Sequence, residues 1–278
     1  MSGPQDPTSL HEPEMVRARR PKALALTLLG HLTRGEQVPV STGTFIEVLG
    51  RLGLSSHAAR STLTRLVDQG LLSKHKRGRE TDYTLTSTGM RLLNESNALV
   101  WEQEASSGEI WTVLAYSIPE KRRALRIRLR TRLTWRGFGL LRSGVWIAPG
   151  RVDVTALLED LAVNDDVHVF YGVPSATSKP ADLIDEAYDL GDIADRYTRF
   201  VERWSSEVES QFPDVLCALI VLRSEWQQLA QADPHLPAEH LPPLWPAMQA
   251  EALFRELYEQ WDVRALEIGH RLAGLVEV

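Results

Sequence analysis

The chain has 278 residues, a single cysteine, a formal net charge of −6, and ordinary apolar (43%) and charged (24%) fractions. That is length enough for two or three small domains, while one cysteine excludes a disulfide framework or a cysteine zinc site within the chain. No run is long and apolar enough for a membrane span, and the first fourteen residues, MSGPQDPTSLHEPE, lack a signal peptide's apolar core, so the expected compartment is the cytoplasm.

The charge is divided along the chain. From Arg17 to Arg91 thirteen Lys or Arg stand against five Asp or Glu, whereas Gly191 to Val278 holds seven against fifteen. A chain that meets a polyanion with one end has this pattern. Residues 1–16 are polar and proline-bearing and are expected to be disordered. A first domain is expected over 17–99. Arg17, Arg19, Arg20 and Lys22 precede or open a helix with apolar Leu24, Leu28 and Leu32, a pattern that fits phosphate contacts and a solvated helix start equally. Thr44 and Glu47 have capping-box spacing ahead of Phe45, Ile46 and Leu49, and Gly53 ends that second helix.

Ser55 can cap a third helix with Ala59, Leu63, Leu66 and Val67 on one stripe and Gly70 as its stop. Opposite that stripe sit His57, Ser61, Thr64 and Arg65, with Arg60 on the flank, all of a length that reaches base edges or phosphates. Two short strands then turn at Gly78 with Lys74, His75, Lys76, Arg77 and Arg79 near the tip. Taken singly these pieces read as a surface helix and a solvated charge run. Helix, tight stop and charged hairpin after two further helices read as a winged helix-turn-helix, whose partner is double-stranded DNA. A linker helix is predicted over Ser87 to Leu99.

A second domain is expected over 108–180. Ile110 to Ser117 reads as a strand, Pro119 and Glu120 open a helix to Trp135, and Gly137 and Gly139 mark a turn. Leu140 to Arg142 and Val145 to Ala148 form a hairpin through Ser143 and Gly144, followed by a helix, Val154 to Val163, and a strand, Val167 to Val173. This βαββαβ order predicts a ferredoxin-like fold, a four-stranded sheet with both helices on one face. Arg122, Arg123, Arg126, Arg128, Arg130 and Arg132 crowd the first helix on all sides. Some must pair with acids such as Glu159, Asp160, Asp165 and Asp166, the reading of a salt-bridged surface helix. The sharper alternative is an anion pocket for a phosphorylated ligand, with Arg122, Arg123 and Arg126 as its residues. A metal-dependent nuclease on this domain would need a carboxylate at the end of the first strand, which instead runs Ala115, Tyr116, Ser117, Ile118. With no GxSxG, P-loop or HExxH pattern elsewhere, no catalytic residue, metal or cofactor is expected.

The last domain, 188–278, reads as all helical, making the fold class α+β. Ile193, Tyr197, Phe200, Val201 and Trp204 form an amphipathic stripe, and Val215 to Leu229 a more buried helix in which Cys217 is a core residue. Between this and the final helical stretch lies DPHLPAEHLPPLWP, Asp233 to Pro246. It reads as a fixed strap across the helical domain, with Leu236, Leu241, Leu244 and Trp245 for burial and His235 and His240 structural or solvated.

The segments SSHAARSTLTRLVDQGLL, GFGLLRSGVWIAP and the proline-rich strap together resemble the PaaX family, bacterial repressors of phenylacetic acid degradation, over almost the whole chain. The resemblance implies a winged helix, a ferredoxin-like middle domain similar to the CRISPR-associated adaptation nuclease, and a helical C-terminal domain. It also implies a homodimer on a palindromic operator, released by an aryl acyl-CoA such as phenylacetyl-CoA. Carried over by position, the DNA contacts would be His57, Arg60, Ser61, Thr64 and Arg65, with Lys76, Arg77 and Arg79 on the wing. Two stretches depart from the family pattern: VLRSEWQQL, Val221 to Leu229, where a more polar, arginine-bearing stretch is expected, and Pro246-Ala247 where proline-glycine is usual. A regulator that binds DNA without a ligand is the other reading of the same residues.

Overall fold

Local signals set the first elements. A computed structural model describes residues 21–101, 110–206 and 208–275; the expected disordered start, 1–16, and Arg17, Arg19 and Arg20 lie outside them. Helix α1 (Pro21–Thr33) has proline at its first position, where a missing N–H costs nothing. A short strand, β1 (Val40–Ser41), leads into α2 (Thr42–Arg51). The capping-box expectation is corrected here: Ser41 is the cap, its hydroxyl accepting from Thr44 N at 3.1 Å, while Glu47 pairs with Arg51 at 2.8 Å. The reason is long-range, since Val40 and Ser41 pair with Tyr83 and Asp82 and so determine where the chain leaves the extended state.

Leu52 to Ser55, with Gly53 at a φ of 86°, separate α2 from α3 (Ser56–Asp68). Strands β2 (Leu72–Arg77) and β3 (Glu80–Leu85) form an antiparallel hairpin, and β1 completes the sheet in the order β1-β3-β2. Helix α4 (Ser87–Trp101) follows.

Next come β4 (Trp111–Tyr116), α5 (Arg123–Thr134), β5 (Gly139–Arg142), β6 (Val145–Pro149), α6 (Thr155–Leu161) and β7 (Val167–Gly172). The sheet order is β5-β6-β4-β7, with every neighbouring pair antiparallel. On one face Leu114, Trp146 and Val167 pack with Leu129 and Leu133 of α5 and Leu157, Leu158 and Leu161 of α6. On the other face Trp111 and Ile147 meet Ile184 of α7 (Pro180–Ala187) and Leu236. The strap is thus partly a cover for this sheet face, and His240 lies 6.1 Å from the Trp111 ring.

The remaining helices are α8 (Leu190–Trp204), α9 (Val215–Ala232) and α10 (Ala247–Ala273). Cys217 is fully buried in α9. The Tyr197 hydroxyl donates to Asp233 Oδ2 at 2.7 Å, anchoring the start of the strap, and burial together with that carboxylate pushes the phenol's pKa up. Trp226 stacks on Phe254 with ring centroids 4.8 Å apart. The strap's burial pattern needs one correction: Leu236 is buried, but Leu244 is 99% exposed. Its φ of 62°, in a stretch flanked by Pro242, Pro243 and Pro246, turns the side chain outward.

Two compact units result: residues up to 94 with 209–224 and 259 onward, and residues 95–208 with 225–258. In the first, the C-terminal segments complete the core behind α1 to α3. A Cβ on Gly269 would lie 2.3 Å from Leu32, His270 Nε2 is 2.9 Å from Leu32 O, and Arg51 reaches Asp214 at 2.6 Å. His31 is buried here beside Asp262, 3.7 Å away, and burial, followed by the charge of Arg223, lowers its pKa to about 3.

Two outcomes are expected. Because His31 stays neutral in the folded chain while the unfolded chain protonates it near pH 6.5, its contribution is complete above about pH 6.5 and is lost as pH falls toward 3, by at most about 1.4 kcal/mol per pH unit. Urea unfolding of the parent and of His31→Leu across that interval should show a shallower pH dependence in the variant. At Gly89 a Cβ would stand 2.1 Å from the Leu71 carbonyl oxygen. Helix propensity favours alanine by about 1 kcal/mol, yet backbone cannot turn aside, so Gly89→Ala should lower the urea midpoint by an amount equal to about 1–3 kcal/mol.

Candidate nucleic-acid interface

Helix α3 is held from behind and open in front. The Ser55 hydroxyl accepts from Ala58 N at 3.2 Å, satisfying one donor of the first turn. Ala59, Thr62, Leu63 and Leu66 are buried, Val67 only half so, and Thr62 turns its hydroxyl back onto Ala58 O at 2.8 Å. Gly70, at a φ of 68°, ends the helix and sends the chain into β2.

On the outer side His57, Arg60, Thr64 and Arg65 are exposed and Ser61 is half-buried. The Thr64 hydroxyl donates to Arg60 O at 3.1 Å, and Arg65 Nε to Ser61 O at 3.3 Å, and the outer guanidinium nitrogens of Arg65 have no ion pair among the described residues. At the far end of α3, Lys22 Nζ donates to Gln69 Oε1 at 2.6 Å, and partial burial lowers the pKa of this lysine. Lys22 therefore ties α1 to the end of α3, a contact that neither of its two sequence readings, phosphate contact or solvated helix start, contained.

The hairpin pairs Arg77 with Glu80 across a two-residue turn in which Gly78 has a φ of 63°, as the twist of a tight hairpin requires. Lys74, His75, Lys76, Arg77 and Arg79 are all exposed. Among the described residues, Arg60, Arg65, Lys74, Lys76, Arg77 and Arg79 make no ion pair. In the same unit Arg51, Arg34 and Arg264 each hold an acid, at 2.6, 2.8 and 2.7 Å.

The arginines of α5 and the turn before it are divided: Arg123, Arg128 and Arg130 are exposed and make no ion pair among the described residues, while the other three do. Arg122 pairs with Asp166, Arg126 with Glu120 at 2.5 Å, and Arg132 with Asp160 at 2.6 Å. Arg122 and Arg126 thus reach for separate acids. A cationic set that the sequence reading passed over lies on α8, where Arg196, Arg199 and Arg203 line a cleft with Glu225 and Gln228. Its signal was available, since these positions recur at helical spacing beside the buried stripe.

Three models of one family match successive stretches: PaaX-like protein over 20–89, PaaX protein central Cas2-like domain over 104–184, and PaaX-like protein C-terminal domain over 188–271. The chain belongs to the PaaX family. It is 26% identical over 239 residues to the transcriptional repressor PaaX of Escherichia coli K12, a match spanning 81% of this chain and 75% of that protein. An uncharacterized protein of Mycobacterium tuberculosis has a similar fold, with a TM-score of 0.60 at 22% identity over 90% of this chain and 98% of that one. Every unpaired cation of α3 and the hairpin falls within the first PaaX match, and the arginines of α5 fall within the Cas2-like match.

Removing the cap that starts α3 should be felt as stability. Ser55→Ala should cost about 1 kcal/mol, and Ser55→Asp, which keeps an acceptor, should recover most of it, both read from urea unfolding.

Proposed function

We propose that this protein is a DNA-binding transcriptional repressor that works as a homodimer on a palindromic operator. In this reading α2, the turn Leu52 to Ser55 and α3 are a helix-turn-helix, β2 and β3 are its wing, and the sheet β4 to β7 is a ferredoxin-like middle domain. The observation that carries it is the set of exposed, unpaired cations on α3 and the adjoining hairpin, in a chain whose other arginines so often hold an acid. An unpaired cation is well solvated and costs little in water, and against a phosphate backbone it releases counterions.

His57, Arg60, Ser61, Thr64 and Arg65 would face base edges in the major groove, and Lys76, Arg77 and Arg79 would hold phosphates. Two such modules related by a two-fold axis read half-sites about one helical turn, roughly 34–36 Å, or a multiple apart. By its resemblance to the PaaX family the regulated genes would serve aromatic-acid breakdown, and an aryl acyl-CoA such as phenylacetyl-CoA would release the operator.

Genomic fragments selected by the pure protein should share an inverted repeat. On such a fragment Arg77→Ala with Arg79→Ala should weaken binding to all sequences and reduce the slope of log K against log salt by about one unit for each phosphate no longer held. Arg60→Ala and Thr64→Ala should instead relax preference at single base pairs, by about 1–3 kcal/mol each. A hairpin variant with the parent's affinity and salt slope would reject the assignment.

A further inference from the structure

Three arginines of α8, Arg196, Arg199 and Arg203, stand three and four positions apart and so rise from one flank of the helix. With Asp192 and Phe200 of the same helix and Glu225, Gln228 and Leu229 of α9 they line an open cleft of about 500 Å³. Part of this charge is already balanced. Arg196 Nη2 lies 2.5 Å from Asp192 Oδ2, and Arg203 Nη1 lies 2.8 Å from Glu225 Oε1. The other oxygen of Glu225 accepts from Trp204 Nε1 at 3.0 Å, so that carboxylate is engaged on both sides.

Two sets of donors remain. Arg199 uses Nε on Asp195 O at 3.1 Å, and its outer nitrogens have no hydrogen bond or ion pair among the described residues. Arg203 Nε and Nη2 are buried and have no hydrogen-bond partner among the described residues. These two atoms are one edge of a single guanidinium. Their N–H bonds run parallel, at the spacing of two oxygens of a carboxylate or phosphate. Arginine has no accessible neutral form, so this edge stays charged and keeps its need for an acceptor.

From this geometry we infer that the cleft between α8 and α9 binds an organic anion. Its oxyanion head pairs with the free edge of Arg203 and with Arg199, and its apolar body lies against Phe200 and Leu229. Because that edge is buried, rotation about the long unbranched stem of Arg203 brings it to the ligand and releases the Nη1 pair with Glu225. That this anion is the regulator's effector rests on the function proposed above; the binding itself does not. Carboxylates and phosphates share the required chemistry, and the test separates them.

Trp204 reports on the site, since it donates to Glu225 and its ring lies 5.4 Å from the Arg203 guanidinium. The full chain would be titrated by intrinsic fluorescence with phenylacetate as the carboxylate probe, coenzyme A as the phosphate probe and phenylacetamide as an uncharged control. Saturable change is expected with at least one anion and none with phenylacetamide. Arg199→Gln, at an exposed position that leaves the fold untouched, should weaken binding at least about tenfold. Arg203→Lys, which keeps the charge and loses the planar edge, should weaken it further, while Arg126→Gln on α5 should bind as the parent does. No saturable change with either anion up to about 10 mM, parental binding by Arg199→Gln, or loss confined to Arg126→Gln would overturn the assignment. A gel shift on the same preparations keeps the two proposals apart. DNA binding without anion binding rejects the cleft alone, and anion binding without DNA binding rejects the proposed repressor alone.

Discussion

The approach of α10 to α1 is the constraint on which the front of the molecule depends. Gly269 faces Leu32 so closely that even a methyl group would collide with it, and His270 is fastened to the Leu32 carbonyl. Three short helices and a three-stranded sheet of this size bury little surface by themselves. The segments 209–224 and 259–275 enlarge that core, and the ion pairs Arg51 to Asp214 and Arg34 to Asp262 fasten them at two points. The outer face of α3 can remain polar because everything needed for stability has been moved behind it.

Charge follows the same division of labour. Acids are present in excess over the whole chain, yet none of the described ones pairs with the cations of α3 or the hairpin. Folding could have satisfied these side chains, as it satisfied Arg122 with Asp166 and Arg132 with Asp160. Leaving like charges adjacent costs a little in self-repulsion, and water screens most of it. The cost is small, and counterion release against a polyanion would more than offset it.

What could be read from the sequence was what local chemistry decides. Ser55, Gly53, Gly70 and Gly78 act within a few residues of themselves, and each does in the structure what its type predicts. The start of α2 escaped the same reasoning because strand pairing at Val40 and Ser41 chose between two hydroxyl residues. Leu244 escaped because an apolar side chain in a proline-bound segment has its direction imposed by the backbone. The arginines of α5 and the turn before it were legible as a set, but which of them would reach an acid distant in sequence, as Arg122 reaches Asp166 and Arg132 reaches Asp160, was not. Periodicity also cannot say which core a helix serves, and so the contribution of α9 and α10 to both units is visible only in three dimensions.

The unsatisfied cations of this chain are of two kinds, and the difference has a thermodynamic consequence. Those of α3 and the hairpin are exposed and hydrated, so an anion gains there mainly by displacing counterions, a gain that added salt erases. The free edge of Arg203 is buried, so an anion reaching it replaces no hydration and restores donors that folding left unpaired. Screening by salt acts less on that pair than on the contact with Arg199, which is exposed. A polyanion on the outer surface and a small anion in the α8–α9 cleft would therefore differ in their response to ionic strength: rising salt weakens the first more steeply than the second.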